Sequence, residues 1–170
     1  ENAKSIKVIC LNQPDILNNP SKFDAIIKGI VNRKACSELE NLVDKWKPDI
    51  AHLHGVSKAL SWAAADVLYK KKIPAVATLH DFGLLCPNMG VYDFRKNSQC
   101  ELYKPHKAIN CLFTNCDKRS YFQKLWRWYR FRYTRDVIRI LRKLSALIFV
   151  SDFSAGIFLD FIPEDLKYRI

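Results

Sequence analysis

The sequence from 47 to 55 reads Lys-Pro-Asp-Ile-Ala-His-Leu-His-Gly, and that from 74 to 87 reads Pro-Ala-Val-Ala-Thr-Leu-His-Asp-Phe-Gly-Leu-Leu-Cys-Pro. Each contains a short apolar run that ends in polar residues, and a helical pattern joins the two. Together they predict a strand, a helix and a second strand, which form one βαβ unit. Ligands bind outside the carboxyl ends of the strands in open parallel sheets, so we expect a site where these two strands end.

The rest of the chain continues the alternation of strands and helices. The other predicted strands are at 5–11 and 146–150, the other predicted helices are at 22–31, 33–46 and 119–144, and a short one ends near 161. A loop without sustained periodicity is predicted at 82–118. The order favours an α/β fold: a Rossmann-like parallel sheet with helices on both faces and a long cysteine-containing loop.

Composition limits the class of protein. The 170 residues suffice for one domain or part of a larger one, and the net charge of +11 favours an anionic partner: nucleic acid, an anionic membrane surface or a phosphate-bearing substrate. No apolar run approaches the length of about 18 residues expected of a membrane-spanning helix. The first residues lack a signal pattern and an initiator Met, so we expect a cytoplasmic segment of a longer protein.

Three stretches in order resemble the N-terminal, acceptor-side domain of family 4 glycosyltransferases, which have the two-domain GT-B architecture. They are 47–55, 78–87 and 146–154. The resemblance implies that residues 1–170 form such a domain, incomplete at its N-terminus and without the C-terminal donor-binding domain. It also implies retaining transfer of a sugar from a nucleotide-sugar donor to a saccharide or lipid-linked saccharide acceptor, in surface polysaccharide biosynthesis, with no cofactor required for catalysis.

The same resemblance implies roles for residues at the strand ends. His80 matches a histidine that contacts the donor sugar, and Asp81 beside it would orient His80 or bind an acceptor hydroxyl. The alternative is that His80 is a structural histidine and Asp81 caps the next turn. We expect His54 and Gly55 to face the cleft and His52 to lie on the opposite side of the sheet, packed under a helix.

Two further features of the sequence leave alternatives open. Ser151 follows the last strand and is either a substrate-binding residue or the cap of the next helix. Four cysteines of the long loop either bind structural zinc, form disulfides or stay as free buried thiols. Tyr103 stands where related sequences often have a further cysteine, and His106 is a possible replacement ligand. The four cysteines are Cys86, Cys100, Cys111 and Cys116.

The predicted helix at 119–144 is basic and aromatic. One apolar stripe on it is expected to pack on the sheet, and Lys124 is expected on the opposite face. Trp128, Phe131, Arg135 and Arg139 are expected to be exposed together, which is typical of contact with an anionic membrane surface, here the inner face of the plasma membrane. The alternatives are a solvated basic face, a nucleic-acid-binding module, for which no binding signature is present, and a zinc-stapled interaction domain. The stripe comprises Phe122, Trp126, Tyr129, Tyr133, Val137, Ile140 and Leu144.

Overall fold

The computed structural model describes residues 6–13, 20–56, 60–102, 104 and 107–169. A three-stranded sheet and its surrounding helices form the body of the chain. The elements are α1 (Lys22–Ile30), α2 (Arg33–Trp46), β1 (Ala51–His54), α3 (Ala63–Lys70), β2 (Ala75–Leu79), β3 (Tyr92–Asp93), β4 (Ser98–Gln99), α4 (Ala108–Phe113), α5 (Tyr121–Arg132), a π-helical turn (Tyr133–Val137), α6 (Ile140–Lys143), β5 (Ala146–Phe149), α7 (Asp152–Leu159) and a 3₁₀ helix (Glu164–Arg169).

The main sheet is parallel, with β2 between β1 and β5. Leu53 of β1 pairs with Ala77 of β2, which in turn pairs with Leu147 of β5, and all three side chains are buried. Helices supply the other half of the core, where Phe158 is fully buried. The prediction of a Rossmann-like α/β fold is therefore confirmed.

Local signals in the sequence explain several boundaries. Asn32 caps α2, since its side-chain oxygen accepts a hydrogen bond of 3.1 Å from the Ala35 N–H, as the sequence predicts. Gly55 leaves β1 with a φ of +55°, a left-handed conformation that glycine adopts at little cost. β1 therefore ends abruptly at His54, and the polar groups there stand at the rim of the sheet.

The structure corrects the prediction of a strand at 5–11. Residues 6–10 belong to no strand, Ile6 is 94% exposed and Val8 is 79% exposed, while Ser5 lies outside the described residues. A β-branched run makes a strand only where a neighbouring strand and a packing surface receive it. Such a partner is absent from the part of the chain that the structure describes.

The long basic helix is also shorter and turned differently than predicted. It loses regular α-geometry in the π-helical turn and stops at Arg139, whose φ of 54° is left-handed. Lys124, expected on the outside, is fully buried, and Phe122, expected to pack on the sheet, is 72% exposed. The prediction was wrong because it ranked faces by hydropathy, whereas Lys124 has buried partners that are distant in sequence. None of the described helices is both long and apolar enough to cross a membrane.

Candidate active site

Three histidines meet where β1 and β2 end. His54 Nδ1 lies 3.1 Å from His80 Nε2, and His54 Nε2 lies 3.3 Å from His52 Nδ1. His52 Nε2 lies 2.8 Å from the hydroxyl oxygen of Thr78, which completes a hydrogen-bonded chain of four side chains. These hydrogen bonds cross from β1 to β2 because the parallel register places His54 opposite Thr78.

The expectation for His52 was wrong. Side chains two residues apart on a strand point to the same face, so His52 and His54 lie side by side, with ring centroids 4.1 Å apart. Both are exposed, so His52 is not packed under a helix of the described residues. His52 therefore lies at the edge of the sheet beside His54 and not under a helix, where the sequence analysis placed it.

Close packing of the three rings disfavours charge at the centre of the chain. The pKa of His54 is lowered from its ordinary value, first by desolvation and then by the neighbouring His52 and His80. The lowered pKa favours the neutral imidazole, in which one ring nitrogen carries a hydrogen and the other accepts one. A neutral His54 accordingly joins its two neighbours through hydrogen bonds rather than repelling them.

The loop after β2 carries the acidic neighbour. His80 and Asp81 are both exposed at the carboxyl edge of the sheet. The side chain of Asp81 accepts a hydrogen bond of 2.8 Å from the Gly83 N–H, while His80 bonds to His54. Asp81 thus forms the turn cap that was the alternative prediction, and its exposed side chain stands at the edge of the sheet.

Gly55 and Ser151 reach the same edge from the neighbouring strands. A Cβ added at Gly55 would meet no atom of the other described residues within 4 Å, so the space beside it is open there. Ser151 follows β5 and caps α7, because its hydroxyl oxygen accepts a hydrogen bond of 3.2 Å from the Ser154 N–H. The helix-cap reading of Ser151 is observed, and its contact with substrate stays a prediction.

Sequence reasoning missed a small cavity behind the Asp81 loop. Two guanidiniums of α5, Arg127 and Arg130, line it together with Gly83 and Thr134. The only sign of this cavity in the sequence was the arginine-rich helix predicted at 119–144. The basic face predicted for that helix was built from other residues than these two arginines. The cavity places positive charge beside the loop that carries the exposed histidine and aspartate.

The cysteine loop holds an ammonium group among its thiols. Lys124 Nζ donates to Cys116 Sγ at 3.0 Å, to the Thr114 carbonyl at 3.2 Å and to Cys111 Sγ at 3.5 Å. Burial alone would lower the pKa of Lys124, but these sulfur contacts raise it above its ordinary value. Burial raises the pKa of the Cys86 thiol to about 12.

The zinc prediction finds no preformed geometry in this loop. All four loop cysteines are free thiols, and across the described ranges no three histidine, cysteine, aspartate or glutamate side chains are grouped to hold a metal ion. Tyr103 and His106 lie outside those ranges. Structural zinc stays a prediction; Lys124 donates to the Cys111 and Cys116 sulfurs, and the Asn88 amide also donates to Cys116.

The proposed membrane-contact set does not share one exposed face. Phe131 is only 8% exposed, and the Arg135 guanidinium lies 5.1 Å from the centre of its ring. Arg135 also pairs with Asp136 at 2.9 Å, and Trp128 is half-buried. Arg139 is exposed, but it marks the break after the π-helical turn. The expected exposed pair of Trp and Phe is therefore not present, because the burial of Lys124 turns α5 away from the assumed orientation, and the π-helical turn shifts only the residues after it.

Comparison with known proteins gives one match. The family model described as Glycosyltransferase Family 4 matches residues 15–167, which is most of the chain. No curated protein and no solved structure was found to match.

Proposed function

The chain belongs to glycosyltransferase family 4, and on that premise we propose that it supplies the acceptor side of a retaining transferase that uses a nucleotide-sugar donor. The observation that carries the proposal is the exposed pair His80 and Asp81 at the carboxyl edge of a parallel sheet, which is where ligands bind in open sheets of this kind.

The chemistry of sugar transfer suits these groups. As the bond between the sugar and the nucleotide breaks, positive charge develops on the sugar ring and negative charge on the leaving phosphate. Fixed hydrogen-bond donors and acceptors that face these charges lower the barrier. We assign His80 to a hydroxyl of the donor sugar or to the leaving phosphate, and the exposed carboxylate of Asp81 to an acceptor hydroxyl, with His54, Gly55 and Ser151 around the acceptor.

The acceptor in this proposal is a saccharide or lipid-linked saccharide of a surface polysaccharide pathway. The net charge of +11 supports a phosphate-bearing substrate, since a cationic surface raises the local concentration of anions. The same charge supports a cytoplasmic protein that attaches peripherally to an anionic membrane. Catalysis in this scheme requires no metal from the chain.

The test is His80→Ala in the full-length protein, assayed by release of nucleoside diphosphate from a panel of nucleotide sugars. Loss of a hydrogen-bond donor that faces transition-state charge lowers kcat by about 10²–10³-fold. Because His80 is exposed, we expect the free energy of unfolding to change by less than about 0.5 kcal/mol. Lys34→Ala, an exposed change on α2, is the matched control. Full activity in His80→Ala would remove His80 from the mechanism.

A further inference from the structure

The cavity behind the Asp81 loop has no role in the function proposed so far. We propose that Arg130, with Arg127 beside it, binds one oxygen of an anionic group of the acceptor, either a phosphate or a sugar carboxylate. This inference rests on the proposed function, since it names the chemical class of the acceptor that the site receives.

The first argument is that Arg130 has no direct ion-pair partner among the described residues. Its guanidinium contacts the Met89 sulfur at 3.7 Å and lies 4.9 Å from the centre of the Trp126 ring. Neither group carries charge, and the carboxylate of Asp81 acts on Arg130 only from beyond ion-pair distance in the described part of the chain. A charge that is removed from water without a partner is costly, so such an arginine is suited to receive an anion from outside.

The neighbouring arginine of α5 differs from Arg130 because a carboxylate neutralises its charge. Arg127 pairs with Asp117 at 3.1 Å, and Asp117 is fully buried. Arg130 follows one turn later on the same face of α5 and lacks an equivalent partner. Burial, and then the charge of Arg127, lower the pKa of Arg130 to about 10, and the nearby Asp81 opposes this only in part.

The cavity limits what can bind. Its volume is about 20 Å³, which is room for about one water molecule or one oxygen atom, not for a whole phosphate. Gly29 and Gly83 line it without side chains, and a Cβ at Gly83 would lie 2.8 Å from the carboxylate of Asp81. An oxyanion would therefore insert a single oxygen and leave the remainder of the acceptor outside.

The position of the cavity connects it with the candidate active site. Gly83 forms part of its wall and also donates its N–H to Asp81. An anion held by Arg130 therefore lies against the loop that begins at His80. Arginine suits this role because its planar guanidinium forms charge-assisted hydrogen bonds with phosphate and carboxylate oxygens.

The test compares two anions in the full-length protein. Sodium pyrophosphate and sodium glucuronate are titrated separately at constant ionic strength, with sodium chloride as the salt control, and the thermal midpoint is followed. For at least one of the two anions, we expect Arg130→Met to need a concentration about tenfold higher or more for the same shift of the thermal midpoint. The reason is that Met keeps the apolar stem of the side chain and loses the charge. Arg33→Met, which removes an exposed arginine of α2, is expected to respond as the wild type does.

Each result has one reading. Loss confined to pyrophosphate assigns a phosphate-bearing acceptor, loss confined to glucuronate assigns a uronic acid, and loss with both assigns a general oxyanion subsite. Equal responses in wild type and Arg130→Met overturn the proposal. If Arg130→Met does not fold, Arg130→Gln replaces it, and an unchanged response there overturns the proposal, since Gln keeps a polar side chain but removes the positive charge.

The outcome is separable from that of the proposed function. Nucleotide release that depends on His80, combined with no effect of Arg130, removes the subsite alone. An Arg130-dependent anion response in a protein that transfers no sugar removes the proposed function and leaves the anion site in place.

Discussion

Replacing Asp117 by Asn tests how much the charge pair under α5 contributes to stability. Asp117 is 0% exposed, and its carboxylate lies 3.1 Å from the Arg127 guanidinium. The other carboxylate oxygen accepts a hydrogen bond of 2.9 Å from the Arg119 N–H. Asn keeps the shape and its oxygen can still accept that hydrogen bond, but its amide NH2 group then replaces the oxygen that faces Arg127, so the substitution removes the attraction to the guanidinium.

The expected loss follows from leaving one partner of a buried pair alone. Such changes cost about 3–5 kcal/mol, and the lower end applies here because the Arg127 side chain is 22% exposed and keeps partial contact with water. A loss of about 3 kcal/mol lowers the thermal midpoint of a chain of this size by about 6–12 °C. Arg127 would then stand uncompensated beside Arg130 in the same cavity.

Urea unfolding, followed by tryptophan fluorescence, measures the change. The matched control is the double variant Asp117→Asn, Arg127→Met, in which no charge is left unpaired and at least half of the lost free energy should return. A loss below about 1 kcal/mol in the single variant, or a double variant no more stable than the single one, would refute the reasoning.

Three smaller perturbations address other parts of the chain. Gly29→Ala would place a Cβ 2.5 Å from the Trp126 ring and should destabilise the contact between α1 and α5 by about 1–3 kcal/mol in urea unfolding; an unchanged midpoint contradicts that packing. Burial alone would raise the pKa of Asp66, but its hydrogen bond from Lys143 helps to lower it. The stability that this carboxylate contributes is therefore present above pH ~4 and is lost as the pH falls through the folded-state pKa. Asp66→Asn should flatten this part of a curve of stability against pH. Burial raises the pKa of Cys86 to about 12, so Cys86 should resist iodoacetamide at pH 8, whereas the exposed Cys10 should react. Mass spectrometry of the treated folded protein measures both, and equal labelling contradicts the burial of Cys86.

Much of the fold could be predicted because its signals are local. Asn32 caps α2 and Gly55 ends β1 through backbone requirements that neighbouring residues reveal. The exposed position of His80 followed from the rule that parallel strands share a carboxyl edge. These elements were recoverable without any knowledge of distant contacts.

The errors arose where distant contacts decide the structure. Lys124 is buried because Cys111 and Cys116 receive its ammonium group across the loop, and hydropathy assigns a lysine to the surface. The π-helical turn shifts the residues that follow it relative to a regular helix of about 3.6 residues per turn, so an extended stripe loses register. His52 was misplaced for a simpler reason, because residues two apart on a strand share a face.

The hydrogen-bonded chain of four side chains from Thr78 to His80 determines which ring nitrogens carry hydrogens. A neutral imidazole carries a single N–H, so the links can all point toward His80 or all point away from it, and the Thr78 hydroxyl serves either sense. In one sense the outward Nδ1 of His80 bears a hydrogen to give; in the other it presents a lone pair. Reversing the sense moves hydrogens alone, so His80 can present either a hydrogen-bond donor or an acceptor at the same position without the movement of a heavy atom.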